Sequence, residues 1–255
     1  MARETKKMAG RSRWRWWLIG AAVLAVCAST AVAAFKVHEY AIESPSFTLS
    51  RERPGGLVIE GLHYAVRSKV LEVFSDDLDR SIFSVPLGER RRRLLAIDWV
   101  EDASVSRIWP DRLIVRIRER KPVAFVSFRS GVLLIDAHGV LLEPPAQSHF
   151  AFPVLSGVRE DQDEGQRARC VQTLLRLQKE LGDRSPDVSE VNTADPDDVQ
   201  VVVRVDNQTV ELLMGDTNFG DRYRQFLSHF AEIRRKSPEG NTFDLRLDDR
   251  ITVKE

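Results

Sequence analysis

Asp136 and His138 stand two positions apart and have the side chains of a general acid and base. They sit beside Gly139, where an Asp that bonds its own backbone makes a tight turn, so turn chemistry accounts for both. Asp195, Asp197 and Asp198 offer the oxygens a calcium ion takes. No Gly or closing Glu stands at the spacing of a metal loop, and the cluster is expected to cap a strand in water. The five histidines are scattered without an i, i+4 ligand pair, and neither a Gly-rich phosphate loop nor a nucleophile elbow occurs. Cys27 and Cys170 lie in segments of opposite character, which excludes an internal disulfide. Cys170 shares a helical face with Leu174, Leu177 and Leu181 and is expected to be a buried structural thiol. The run Arg90 to Arg93 could touch anionic headgroups, but a helix spreads four successive residues around its circumference, and a solvated face is expected. The inventory points to no enzyme, cofactor, metal or small-molecule substrate.

The elements that carry these residues begin with an unbroken apolar run, Leu18 to Phe35, preceded by Trp14, Trp16 and Trp17. Counted from Trp16, it spans ~30 Å as a helix, the hydrocarbon thickness of a bilayer. Six basic residues against Glu4 alone precede it and Lys36 follows, which predicts a single transmembrane helix over residues 16–35, a cytoplasmic tail over 1–15 and a carboxyl-terminal region outside the cytoplasm. Ala31-Val32-Ala33 suits signal cleavage and Leu24 to Cys27 resembles a lipoprotein box, but the run exceeds the roughly 7–15 residues of a signal core. Ala21, Ala25, Ser29 and Ala33 form a small-residue stripe that suits either a second helix or lipid. The 38 Lys and Arg balance the 38 Asp and Glu, which removes the basic surface that nucleic-acid binding needs. At 43% hydrophobic residues the chain is too apolar for disorder.

Beyond a polar connector, the pattern reads as a strand at 57–60, helices at 65–74 and 88–97, and alternating strands at 100–108 and 113–119 around a turn at Trp109 to Arg112. Ala103, Val105, Leu113, Val115 and Ile117 face inward in this β-α-α-β-β module. After Lys121-Pro122 come strands at 123–128, 132–135 and 140–142, a helix at 166–181, strands at 199–205 and 210–214, an amphipathic helix through Tyr223, Phe226, Phe230 and Ile233, and strand-like segments at 243–247 and 251–253. The fold class is α+β.

Val100, Ala103, Val105, Arg107, Trp109-Pro110, Leu113, Val115, Ile117, Glu119, Pro122 and Ala124 follow a spacing that resembles the FtsQ/DivIB family of bacterial cell-division proteins. Leu134 to Val140 with Pro153 to Gly157, and Phe243 to Arg246, resemble it too. The resemblance implies a POTRA domain over residues 45–120, after a connector at 36–44, and an FtsQ-type β domain over 121–255. It further implies a non-enzymatic single-pass scaffold of the division septum in the cytoplasmic membrane. Its partners would be FtsB/DivIC-like and FtsL-like proteins and other divisome components, and through them septal peptidoglycan synthesis. The family's partner contact maps by position onto Arg246, Leu247, Asp249, Arg250, Ile251, Thr252 and Val253, with Leu247 where Tyr can occur. Ile251 to Val253 is expected to be a terminal strand with little chain after it to cover its edge. Arg246 and Arg250 are expected to pair with acidic partner residues. The alternative is a membrane-anchored POTRA chaperone or translocation accessory. It would call for tandem POTRA units or a β-barrel pattern, neither of which is read here.

Overall fold

A computed structural model describes residues 10–50, 55–146, 148–247 and 250–254. The chain forms two units, one of Met1–Ile97 with Asp102–Arg118, the other of Asp98–Glu101 with Glu119–Glu255.

The first unit opens with α1, Gly10–Glu43. Within it Trp16–Glu43 is long and apolar enough to cross a membrane, and its most apolar stretch is not buried by the rest of the chain. The helix therefore runs on through residues 36–43 of the segment 36–44, which the sequence reads as a connector. No Gly or Pro interrupts it there, and Lys36 pairs with Glu39 one turn on at 2.9 Å. It stops at Ser44, which precedes Pro45 and is extended as a pre-proline residue must be.

A small α/β layer follows, made of β1 (Leu57–Glu60), α2 (Arg67–Glu72), α3 (Leu87–Leu95), β2 (Val100–Ile108) and β3 (Arg112–Glu119). The sheet order is β1-β3-β2, with β1 parallel to β3. Gly61 leaves β1 at φ +85°, and a Cβ there would lie 2.0 Å from the Ile117 carbonyl oxygen, so only glycine fits. Leu113, Val115 and Ile117 are buried as expected, and with Val70, Phe74, Ile82 and Leu94 they make the core. Ala103 is buried too, but Val105 is only half-buried, because β2 forms the sheet edge.

The arginine run of α3 is the main departure from expectation in this unit. Arg90 is buried, and its guanidinium donates from Nε and Nη2 to the two carboxylate oxygens of Asp77 at 2.6 and 2.9 Å. The hydrogen bond to Asp77 raises the Arg90 pKa. Arg91 donates to the Ala103 carbonyl and to Asp102. Helical geometry does spread the four arginines around the axis, but two of the directions face protein.

The second unit is built on a nine-stranded sheet. Its strands are β4 (Pro122–Phe128), β5 (Gly131–Asp136), β6 (Leu141–Leu142), β7 (Val154–Ser156), β8 (Val188–Asn192), β9 (Val199–Val205), β10 (Gln208–Gly215), β11 (Thr242–Asp244) and β12 (Thr252–Lys254). They lie in the order β12-β11-β10-β9-β8-β7-β4-β5-β6. Two helices, α4 (Glu164–Leu181) and α5 (Phe219–Lys236), contribute Val171, Leu174, Leu177, Phe219, Tyr223, Phe226 and Phe230 to one core with Val191, Val201, Leu212 and Phe243. Asp163 and Gln166 form a capping box that starts α4. Cys170 is half-buried against this core rather than fully enclosed. The sequence pattern misses β7 and β8, which pair in parallel with each other and join β4 to β9. Three and five residues are too short for an alternation to register.

The Arg90–Asp77 pair yields a test. Arg90→Ala leaves a buried carboxylate uncompensated and is expected to destabilise the first unit by ~3–5 kcal/mol, whereas Arg90→Met with Asp77→Leu is expected to restore most of it. Denaturant melts of the two variants decide, and equal loss in the single and the double variant would show the pair to be uncoupled.

Candidate partner-binding edge

The residues that sequence reading singles out for acid–base or metal chemistry serve structure. Asp136 is buried, and its Oδ1 accepts from the His138 and Val140 amides at 2.9 and 2.8 Å while Oδ2 takes Arg120 at 2.9 Å. Its carboxylate is thus occupied by a turn, and Arg167 holds the Gly139 carbonyl from α4. Asp195 accepts from the Asp197 amide in an Asx turn, and Asp198 pairs with Arg246 at 3.3 Å. Among the described residues no group of three His, Cys, Asp or Glu is placed to hold a metal.

The sheet edge at β12 gathers most of the residues mapped as partner-binding. β11 pairs in parallel with β10, and β12 runs antiparallel to β11 with Asp244 opposite Thr252 and Thr242 opposite Lys254. The Glu211 amide donates to the Asn241 carbonyl and the Leu245 amide to the Leu213 carbonyl. Residues 241, 243 and 245 therefore turn their backbone groups toward β10, and 242 and 244 turn theirs toward β12. It follows that Thr252 and Lys254 exchange bonds with β11, and Val253 presents its N–H and C=O outward. No described strand lies beyond β12.

The side chains divide differently. Val253 and Ile251 pack on the core, with Gly240 leaving room for Val253: a Cβ at Gly240 would stand 2.2 Å from Val253 Cγ1. Thr252 and Arg250 are exposed, as is Leu247 at 53%. Arg246, expected to reach a partner, is instead turned on its own chain, with Nε 2.9 Å from Asp244 and Nη1 3.3 Å from Asp198. This bond holds the Asp244 carboxyl below its usual range and raises the arginine. A carboxyl depressed in this way stabilises the fold above the ordinary carboxylate pKa and ceases to do so as pH falls through its lowered value. Asp249 and Asp248 lie outside the described residues.

Two further residues matter here, and no pattern in the sequence marks them. Arg234 on α5 donates to the Gly240 and Pro238 carbonyls at 2.6 and 3.1 Å and lies over the Phe230 and Phe243 rings. Arg222, three turns earlier on the same helix, donates to the Met214 and Arg246 carbonyls at 2.6 and 3.0 Å. Together they hold the chain before and after β11. Both look like solvated basic positions on a helix, because their acceptors are carbonyls, which every residue type carries.

Comparison with known proteins then places the chain. Residues 55–120 match the family described as POTRA domain, FtsQ-type, and residues 124–246 match Cell division protein FtsQ/DivIB, C-terminal. A cell division protein FtsQ of Koribacter versatilis (strain Ellin345) is 35% identical over 98% of this chain and 72% of its own length. The chain belongs to the FtsQ/DivIB family of cell division proteins. Other FtsQ proteins are similar at 26% identity, from Syntrophotalea carbinolica over 94% of the chain and 87% of that relative, and from Cellvibrio japonicus over 69% and 53%. The FtsQ/DivIB match ends at Arg246, so Leu247 to Val253 lie beyond it. The N-terminal apolar helix, the POTRA-type domain and the β-rich domain with helices agree with the fold expected from the resemblance.

Arg234→Ala is expected to loosen β11 selectively. Hydrogen exchange at Phe243 and Leu245 should accelerate while β9 keeps its protection, with a stability loss of ~1.5–3 kcal/mol for bonds from a charged donor. Unchanged exchange at both strands would rule out the clamp.

Proposed function

We propose that this FtsQ/DivIB protein is a non-enzymatic, single-pass membrane scaffold of the bacterial division septum, and that the outer edge of β12 receives a strand of an FtsB/DivIC-like partner. Through that partner and an FtsL-like protein it would link early division proteins to septal peptidoglycan synthesis. The observation that carries the reading is the outward backbone of Val253 at the end of the described sheet, since an extended segment adds to such an edge by main-chain bonding.

Magnitudes show what else the contact needs. Two to four backbone bonds contribute roughly 1–6 kcal/mol, whereas micromolar affinity requires about 8 kcal/mol. Exposed Leu247 and half-buried Ile251 and Val253 offer apolar area for the remainder, and exposed Arg250 adds positive charge that favours an acidic partner. Thr252, Asp249 and Arg246 complete the proposed site. Arg246 acts in it by holding the chain after β11. The six basic residues before the apolar run Leu18 to Phe35 support a cytoplasmic amino terminus, with the POTRA-type domain and the β-rich domain beyond the membrane.

Val253→Pro removes an outward donor from an edge strand, and is expected to weaken binding of the full chain in nanodiscs to the purified FtsB-like ectodomain about tenfold with little change in melting temperature. Thr252→Pro removes a donor to β11 and is expected to lower stability as well. Undiminished binding by folded Val253→Pro protein would exclude strand addition at this edge.

Topology and place have their own test. A fluorescent fusion is expected to form midcell bands, and protease added to spheroplasts should remove the folded units and spare an amino-terminal tag. Uniform envelope fluorescence would favour the chaperone alternative, and a mature protein starting near Cys27 or Ala34 would overturn the anchor.

A further inference from the structure

The carboxyl end of α1 carries an aromatic group that the partner edge does not use. Tyr40 of α1 meets the ring of Phe47 with centroids 6.4 Å apart. Phe47 in turn lies 5.3 Å from Phe83 and 5.4 Å from Trp109, and Phe83 lies 5.7 Å from Trp109, all edge to face. These four rings pack on one another, yet Tyr40 is 66% exposed and Trp109 67%. Aromatic area of this size is rarely left open to water in one place.

The group is fixed to the helix by hydrogen bonds. Ser81 Oγ donates to the Ala41 carbonyl at 2.7 Å, satisfying one of the carbonyls a helix end leaves unpaired. The Ile82 amide donates to the Phe47 carbonyl at 2.8 Å, and Thr48 bridges Ser81. Arg107 closes the frame from β2, donating to the Ile82 and Val85 carbonyls at 2.6 and 2.7 Å on either side of Phe83. The position of the rings relative to α1 is therefore set.

Depth follows from helix geometry. If residues 16–35 fill the hydrocarbon layer, Tyr40 stands five residues beyond it, ~7.5 Å along the axis. A headgroup layer is roughly 5–8 Å thick on each side, so Tyr40 lies at its level, and tryptophan and tyrosine favour that depth. Trp14, Trp16 and Trp17 occupy the corresponding place at the other end of the apolar run.

We infer that Tyr40, Phe47, Phe83 and Trp109 form a lipid-binding platform that seats the first folded unit in the headgroup layer of the bilayer that α1 crosses. The platform rests on the membrane-anchor reading above. It gives the helix a second anchoring belt that is assembled in space, since Phe83 and Trp109 lie far from α1 in sequence. Its occupant is phospholipid at the headgroup and upper acyl boundary, where the indole N–H reaches ester oxygens and the ring meets hydrocarbon. Continuity of the rings with the spanning helix favours lipid over a protein partner.

Fluorescence quenching by lipid brominated high on the acyl chain tests this with the full chain in phosphatidylcholine–phosphatidylglycerol vesicles. The emission of Trp109 is obtained as the difference between the parent protein and Trp109→Phe. That of the opposite belt comes from Trp16→Phe with Trp17→Phe. Both differences are expected to fall roughly twofold in brominated vesicles, as suits side chains at the interface. Quenching at Trp16 and Trp17 with none at Trp109, together with quenching of Trp109 by aqueous acrylamide, overturns the platform and leaves the anchor standing. Absence of quenching at both overturns the anchor and the platform with it.

Discussion

The candidate edge depends on β11, a strand of three residues that cannot hold its place by its own ladder. β12 pairs with it and with no other described strand, so the outermost backbone of the sheet is only as well placed as Thr242–Asp244. The constraint is met from the neighbouring helix. Arg234 fixes the carbonyls before the strand, Arg222 fixes the carbonyl of Arg246 after it, and Phe243 sits fully buried against Phe226 and Phe230 between them. Aromatic packing holds β11 against the core, and the arginines fix its register along the sheet.

Arginine bonded to backbone carbonyls recurs throughout both units and changes what the balanced charge means. Arg107 spans the segment around Phe83, Arg91 holds Ala103, Arg120 holds Asp98, and Arg167 holds Gly139. Each presents a planar fork to two acceptors, at least one of them a backbone carbonyl, which lysine cannot do. These arginines count toward the 30% charged composition yet serve as internal scaffolding. Turns and short strands that bury little apolar surface are held where regular ladders are absent.

On the proposed reading, such an edge is suited to receive a partner strand. Short strands at the margin of a sheet open at low free-energy cost compared with its central strands, so an incoming segment can pair without disturbing the core. Val199, Val201 and Val203 of β9 are almost fully buried and give the middle of the sheet a rigid floor. Stability is concentrated in the middle of the sheet and adaptability at its margin.

The sequence by itself determined the elements whose periodicity is long enough to be unambiguous. The apolar run of α1, the alternations of β2, β3 and β9, and the amphipathic faces of α4 and α5 are all legible in it, and so is the family. The Trp109-Pro110 motif marks a turn, and Asp136 to Gly139 reads as the turn it is. Tertiary structure decided the rest, for identifiable reasons. Arg90 is buried because Asp77, thirteen residues earlier, folds beneath α3, and Arg246 is turned inward because Asp244 and Asp198 converge on it. β7 exists only as the partner of two strands distant in the chain, β4 and β8, and β8 links it to β9, the next strand in sequence. The backbone polarity of β12 is the clearest case. Alternation of residue type tells which face of a sheet a side chain occupies, but the hydrogen-bonding direction lies in the sheet plane and is set by the register of the neighbouring strand. That Val253 and not Thr252 offers its amide outward follows from the pairing of Leu245 with Leu213, and no inspection of residues 251–253 alone contains it.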